Sequence, residues 1–417
     1  MSRRTIIIIG VILSIAIVAG ILVYFFVLRQ PEVPQEAQLT PEERARLTLT
    51  LEDIDRGITL EQKAQQLEEE RRLALEQGVE IEPVVVEVAD VKPIILKEVV
   101  SSTLAPDRKS LIYFDKEEED FAIADLDGNN PRLVTSLDFK NVYEIDWSQN
   151  RDSAIIATSD NDGKDKQYTY VNLRDQSTFT YDDKFQGVTL NPEGDKITYL
   201  YYDEENDVSN ISVANIDTSG FNSLYSYPDK NVDLNWLDDN YIQFNPQTTG
   251  FNEGEIAITD IQGDTYRVIV GEKFAVDTLS SPDNSMLVYT ASLSKNPRRL
   301  KLFITDNQGM NEGDYLGLDT LVDKCAWSFD NKFLYCAVPD FYTDNLVMPN
   351  DYYNFKFITT DSFYKIDTET KRAKIIKASK DLDETYDAFQ PYLSSDGKVL
   401  YFTNRFDGQL KGLTIPE

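Results

Sequence analysis

Few side chains in this 417-residue sequence occur in combinations that do chemistry, and absences narrow the field first. There is no histidine. That removes Ser-His-Asp and Cys-His catalysis, and it removes His-ligated zinc and haem. The two cysteines, Cys325 and Cys336, are too few for a four-cysteine zinc site or an iron–sulfur centre. They flank a turn at Phe329 to Asn331, on what the pattern makes adjacent antiparallel strands. A two-residue turn sets them directly opposite, near the lower end of disulfide range; a three-residue turn offsets them by one. A disulfide and a pair of buried core thiols are the two readings. Asp160-Asn161-Asp162-Gly163-Lys164-Asp165 carries carboxylates at Asp160, Asp162 and Asp165 in the manner of a calcium loop, without full EF-hand spacing. An acidic hairpin turn explains the same residues more simply.

Carboxylates for glycoside hydrolysis are plentiful, but nothing in their spacing marks a pair. No Gly-x-Ser-x-Gly elbow is present. The sequence therefore assigns no catalytic residue and no cofactor, and it reads as a binding protein. The formal net charge of -31 argues against nucleic acid, whose phosphates need Lys and Arg, and permits basic protein partners or divalent cations. Glu117-Glu118-Glu119-Asp120 and Asp203-Glu204-Glu205-Asn206-Asp207 fall at equivalent places to the Asp160 loop, so the three are expected on one acidic rim. The most distinctive stretch runs from Val338 to Thr360. It holds Phe341, Tyr342, Met348, Tyr352, Tyr353 and Phe355, the candidate partner-binding residues. A segment this aromatic is not compositionally disordered. It either packs back on the protein, covering an edge or plugging a channel, or offers aromatics to a partner.

The elements that must position these residues repeat. A turn recurs as Leu104-Ala105-Pro106-Asp107, Trp147-Ser148-Gln149-Asn150, Leu190-Asn191-Pro192-Glu193 and Trp236-Leu237-Asp238-Asp239. It returns as Ser280-Ser281-Pro282-Asp283, Trp327-Ser328-Phe329-Asp330 and Leu393-Ser394-Ser395-Asp396. Copies lie about 43–47 residues apart, with a last interval longer by about 20 because of the Val338–Thr360 stretch. A strand follows each turn, as at Leu111 to Phe114 or Met286 to Thr290, and a third strand commonly ends on Asp. This period is that of propeller blades. The expected fold is all-β, a seven-bladed β-propeller. Departures such as Asp238-Asp239 leave six or eight blades open. The seventh repeat ends after Leu410 to Ile415 without a fourth strand, and Pro93 to Val100 is the expected donor.

The Pro-Asp turns at Pro106-Asp107 and Pro282-Asp283, with Ser395-Asp396-Gly397 and Leu400-Tyr401-Phe402, resemble the TolB-like and WD-type propeller superfamily over roughly residues 92–417. The resemblance implies a fold far more than a function. For exported TolB-like members it implies a platform for other envelope proteins.

Arg3 and Arg4 precede an uncharged apolar run from Thr5 to Leu28, long enough to span a bilayer and longer than a signal-peptide core. Residues 1–30 are expected to form a signal-anchor transmembrane helix, N-terminus cytoplasmic. Residues 31–91 follow as a linker and helical stalk, opening on the Thr40-Pro41-Glu42-Glu43 capping box. Its apolar seam is short and alanine-rich, which suits a solvated spacer better than a coiled coil. Residues 92–417 are the extracytoplasmic propeller. The expected role is an interaction scaffold of the cell envelope, contacting another envelope protein; the alternative is a carbohydrate or peptidoglycan binder, or a carboxylate-based glycan enzyme.

Overall fold

A computed structural model describes residues 89–159, 166–227, 232–246, 249–307 and 312–416. The expected membrane span, the stalk and the calcium-loop residues Asp160, Asp162 and Asp165 lie outside them. Among the described residues no helix is long and apolar enough to cross a membrane.

The strands pair antiparallel in quartets. The first holds the second half of β1 (Val91–Leu104) with β2 (Ser110–Asp115), β3 (Asp120–Asp125) and β4 (Arg132–Leu133). The second comprises β5 (Val142–Trp147), β6 (Ser153–Ser159), β7 (Lys166–Asn172) and β8 (Thr178–Thr180). The third comprises β9 (Phe185–Leu190), β10 (Lys196–Asp203), β11 (Val208–Asn215) and β12 (Asn222–Tyr227). The fourth runs β13 (Val232–Trp236), β14 (Tyr241–Pro246), β15 (Glu253–Asp260) and the first part of β16 (Arg267–Ser280). The rest of β16 opens the fifth, with β17 (Met286–Ser292), β18 (Lys301–Asp306) and β19 (Asp314–Asp319). The sixth is β20 (Cys325–Trp327), β21 (Phe333–Pro339), β22 (Asp361–Asp367) and β23 (Ala373–Lys377). The last is β24 (Ala388–Leu393), β25 (Val399–Asn404) and β26 (Gln409–Thr414), completed by the first half of β1, where Val91 lies opposite Leu413. The first and last segments of the described chain thus share one sheet, leaving no open edge between them. This is a β-propeller.

The recurring turn has one hydrogen-bonding scheme. Ser281, Ser328 and Ser394 each accept, through Oγ, the backbone N–H five residues on, and Asn191 does so through Oδ1. Asp283, Asp330 and Asp396 accept from the serine two residues earlier and from the backbone two residues later. A short side-chain oxygen replaces the missing ladder partner at the tip, which is why Ser, Asn and Asp recur there. Beyond the tip, strands such as β2 and β17 are nearly continuous apolar runs because both faces pack on neighbouring sheets.

The inner strands lie side by side, β1 on β5, β5 on β9, β9 on β13 and β20 on β24, around a central channel. They run in one direction. Their first residues therefore gather at one mouth, and the recurring turns gather at the other.

Candidate functional site

The mouth at the inner-strand starts collects carboxylates from separate quartets. Glu144 and Asp146 come from β5, Asp233 from β13, Asp277 from β16, and Asp323 from the turn before β20. Glu144, Asp146 and Asp233 line one cavity with Lys166, Tyr168, Gln186, Thr189 and Asn235, of about 280 Å³. Enclosure by protein, then Asp146, Asp233 and Asp323, push the Glu144 carboxyl up to about 7. Burial raises Asp277 well above the usual carboxylate range, with Asp323 and Asp233 adding to the effect. Burial also raises Asp323, against the pull of Tyr353, Arg405 and Lys324. Like charges in a restricted space oppose one another's ionisation. Asp146 is held by Thr189 Oγ1 at 2.5 Å and the Leu190 N–H at 3.0 Å. Among the described residues no three His, Cys, Asp or Glu side chains stand close enough to hold a metal ion.

The Val338–Thr360 stretch joins β21 to β22 and folds over this mouth. Its short helix α1 (Asn350–Tyr353) places two adjacent tyrosines in different surroundings. Tyr352 is fully buried with Met348 and Phe357, against Ala275, Leu300 and Leu321. Tyr353 stays partly exposed, and its hydroxyl donates to Asp323 at 2.8 Å and lies 3.3 Å from Asp277. Met348 N–H donates to Pro297 O at 2.7 Å, and the Gly250 N–H to Asn350 Oδ1 at 2.8 Å. A Cβ at Gly250 would stand 2.5 Å from Val347 Cγ1 and 2.8 Å from Met348 O, so only glycine seats the segment this closely.

Beneath α1 lies a buried charge cluster. Lys324 Nζ donates to Asp387 Oδ1 at 2.6 Å, Asp361 Oδ2 at 2.7 Å, Thr359 Oγ1 at 2.8 Å and Ala388 O at 3.1 Å, and all three charged side chains are fully buried. Burial opposes the lysine's charge, but Asp361, Tyr352 and Asp387 hold its pKa above the ordinary range. Burial also pushes Asp361 up, which pulls against a charged pair. The ammonium's three N–H groups can serve both carboxylates and Thr359 Oγ1 at once, whereas a neutral amine has only two, and this decides for the ionised form. Tyr352 donates to Asp387 at 2.8 Å, and the Arg405 guanidinium lies over the Tyr352 and Phe355 rings at 3.9 and 4.2 Å.

Of the candidate partner residues, Phe341 and Phe355 are 51% and 65% exposed and Tyr353 is 39% exposed. Tyr342 is half-buried, its hydroxyl bonded to Asp319 O. Met348 and Tyr352 belong to the core. Replacing Tyr352 and Tyr353 together would therefore report on stability and could not isolate binding. Cys325 and Cys336 lie directly opposite across β20 and β21, Cα atoms 4.1 Å apart, and are disulfide-bonded.

Of the three loops expected to form an acidic rim, those at residues 117–120 and 203–207 lie at the end where the inner strands start, and the Asp160 loop lies outside the described residues. The Glu117–Glu119 loop is partly neutralised there: Lys97 pairs with Asp115, Glu117 and Glu118, and Lys140 with Glu119. Asp203 is occupied with the N–H groups of its own turn. The channel carboxylates escaped sequence reasoning. They lie on inner strands one or two repeats apart, and the signal in the sequence was an acidic residue a few positions before several of the turns, as at Asp146, Asp233, Asp277 and Asp323.

No family model matches this sequence, and no curated protein matches it. Solved structures do. An oligogalacturonate lyase in complex with manganese is 12% identical with a TM-score of 0.54, covering 79% of this chain and 91% of that one. The oligogalacturonate lyase of Vibrio parahaemolyticus is 12% identical with a TM-score of 0.52, covering 80% and 92%. The Cps50 (Swd1) β-propeller domain of Myceliophteria thermophila is 10% identical with a TM-score of 0.52, covering 78% and 99%. At such identities the likeness concerns the fold alone, and on fold the strand pairing and these neighbours agree: this chain is a β-propeller protein.

Proposed function

We propose that this protein is a seven-bladed, TolB-like propeller held at a membrane by residues 5–28, with residues 92–417 outside the cytoplasm, acting as an interaction scaffold of the cell envelope. The scaffold's partner presents a basic segment to the acidic mouth and an apolar one to Phe341 and Phe355. The observation that carries this reading is the convergence of Glu144, Asp146, Asp233, Asp277 and Asp323 on one mouth, beside exposed aromatics. Their mutual repulsion is relieved when a cation enters, so binding energy is available where the charges are forced together.

The glycan-enzyme reading has one specific support, the Asp277–Asp323 pair joined through the Tyr353 hydroxyl. It is disfavoured because, among the described residues, Tyr168 is the single aromatic lining the acidic cavity, short of the ring of aromatics that sugar stacking uses. Capture from detergent-solubilised envelope, read by mass spectrometry, tests the scaffold. The wild-type chain should recover a partner that Glu144→Gln/Asp233→Asn and Phe341→Ser/Phe355→Ser both lose, with Tm little changed. An unchanged set of captured proteins would refute the site. Resistance to alkaline extraction, with protease access to residues 92–417 from outside only, tests the tether.

A further inference from the structure

The opposite mouth, formed by the recurring turns, has the reverse character. A cavity of about 450 Å³ there is lined by residues from five quartets, among them Arg108, Arg151, Ser280, Trp327, Phe329 and Tyr392. A chain of formal charge -31 would be expected to pair its arginines with acids. Yet among the described residues neither Arg108 nor Arg151 has a carboxylate within ion-pair distance. Arg108 is exposed, its guanidinium 5.4 Å from the centre of the Phe329 ring. Arg151 is anchored, donating to Ser148 O at 2.6 Å and Thr103 Oγ1 at 3.3 Å. Burial, and also the like charge of Arg108, lower its pKa, while Asp146, deeper in the channel, acts the other way. Ser280 Oγ is buried without a hydrogen-bond partner. The Trp327 indole N–H is already given to Leu279 O, so that side chain offers the cavity only its ring.

We propose that this turn-side mouth is a binding site for a compact carboxylate carried on a ring. Arg108 supplies a forked pair of donors for the carboxylate, and Arg151, whose Nε and Nη1 are held by Thr103 Oγ1, Ser148 O and Gln149 O, adds its Nη2. Phe329, Trp327 and Tyr392 supply faces on which a ring can lie. The cavity volume falls in the range of small-ligand sites. The same chemistry is offered by an aromatic acid and by a sugar acid, and probes separate them. The site faces the opposite end of the channel from the acidic mouth, although Asp146 of that mouth acts on Arg151, and it needs no scaffold partner.

The test is calorimetric titration of the full chain in detergent with benzoate and with glucuronate, against benzamide and glucose as uncharged counterparts. At least one acid should bind, at least about tenfold tighter than its neutral counterpart, since a hydrogen-bonded charge is worth about 1.5–3 kcal/mol. Arg108→Glu, at an exposed position, should abolish that preference without moving Tm, whereas Glu144→Gln should leave it intact. Preference for benzoate alone identifies an aromatic acid, and for glucuronate alone a sugar acid. Binding of neither acid at 10-fold above about 1 mM, equal binding of acid and neutral probe, or indifference to Arg108→Glu would each overturn the assignment.

Discussion

Replacing Lys324 by methionine tests the buried cluster that seats the long β21–β22 connection. Methionine nearly matches lysine in volume, so the cavity term is small. What is lost is electrostatic. Asp361 would keep the Ala388 N–H at 2.8 Å but lose its cation, and its Oδ1 already has no partner. Asp387 would keep Tyr352 at 2.8 Å and the Thr359 N–H at 3.1 Å, with Arg405 no closer than 3.9 Å. Removing one partner of a buried ion pair costs about 3–5 kcal/mol, because the other charge stays buried. For a domain of this size that corresponds to a fall in Tm of about 4–7 °C. Scanning calorimetry of wild type, Lys324→Met, Asp361→Asn and the double variant gives the cycle. The double variant should be more stable than the sum of the single losses implies, since a neutral amide no longer needs the ammonium. If Lys324→Met costs under about 1 kcal/mol, or the losses simply add, the cluster is not the ionised network described above.

Two further outcomes follow from the geometry. Reduction, or Cys325→Ser with Cys336→Ser, should lower stability by up to about 3 kcal/mol, the chain-entropy value for a separation of 11 residues. Intact mass with and without reductant checks the bond directly, and two free thiols in the native protein would reject it. The folded pKa of Glu144 is raised to about 7 from an ordinary 4.5, so the folded state holds its proton more tightly than the unfolded chain. That contribution is present in full below about pH 4.5 and is lost as pH rises to about 7. Wild-type Tm should therefore fall between pH 5 and 8 by more than that of Glu144→Gln. Parallel profiles would mean that Glu144 titrates normally.

The period of about 45 residues made the propeller legible, because every blade solves the same local problem. Ser or Asn at the turn must replace a ladder partner, and the strands beyond it must be apolar on both faces. These are nearest-neighbour requirements, and sequence records them. Pro93 to Val100 stood out for the same reason, as a β-rich run ahead of a final repeat one strand short; β1 pairs there with β26. Hairpin spacing left Cys325 and Cys336 either directly opposite or offset by one according to the turn, and the register of β20 on β21 sets them opposite.

What the sequence could not decide was how residues from different blades meet. Glu144, Asp233, Asp277 and Asp323 become neighbours only when the ring brings the inner strands together; burial there raises the carboxyls of Glu144, Asp277 and Asp323, and neighbouring carboxylates add to the rise at Glu144 and Asp277. The tyrosines at 352 and 353 are the sharpest case. Composition makes them equivalent, yet one turn of helix puts Tyr352 over Lys324 in the core and leaves Tyr353 at the channel mouth. Helical direction and the position of Lys324, a residue 28 places earlier, make that choice, and both are properties of the folded chain. Net charge likewise marked the protein as acidic but could not place Arg108 and Arg151 together at one mouth and the acids at the other. That separation exists because successive inner strands run the same way around the ring, which is a fact of tertiary structure.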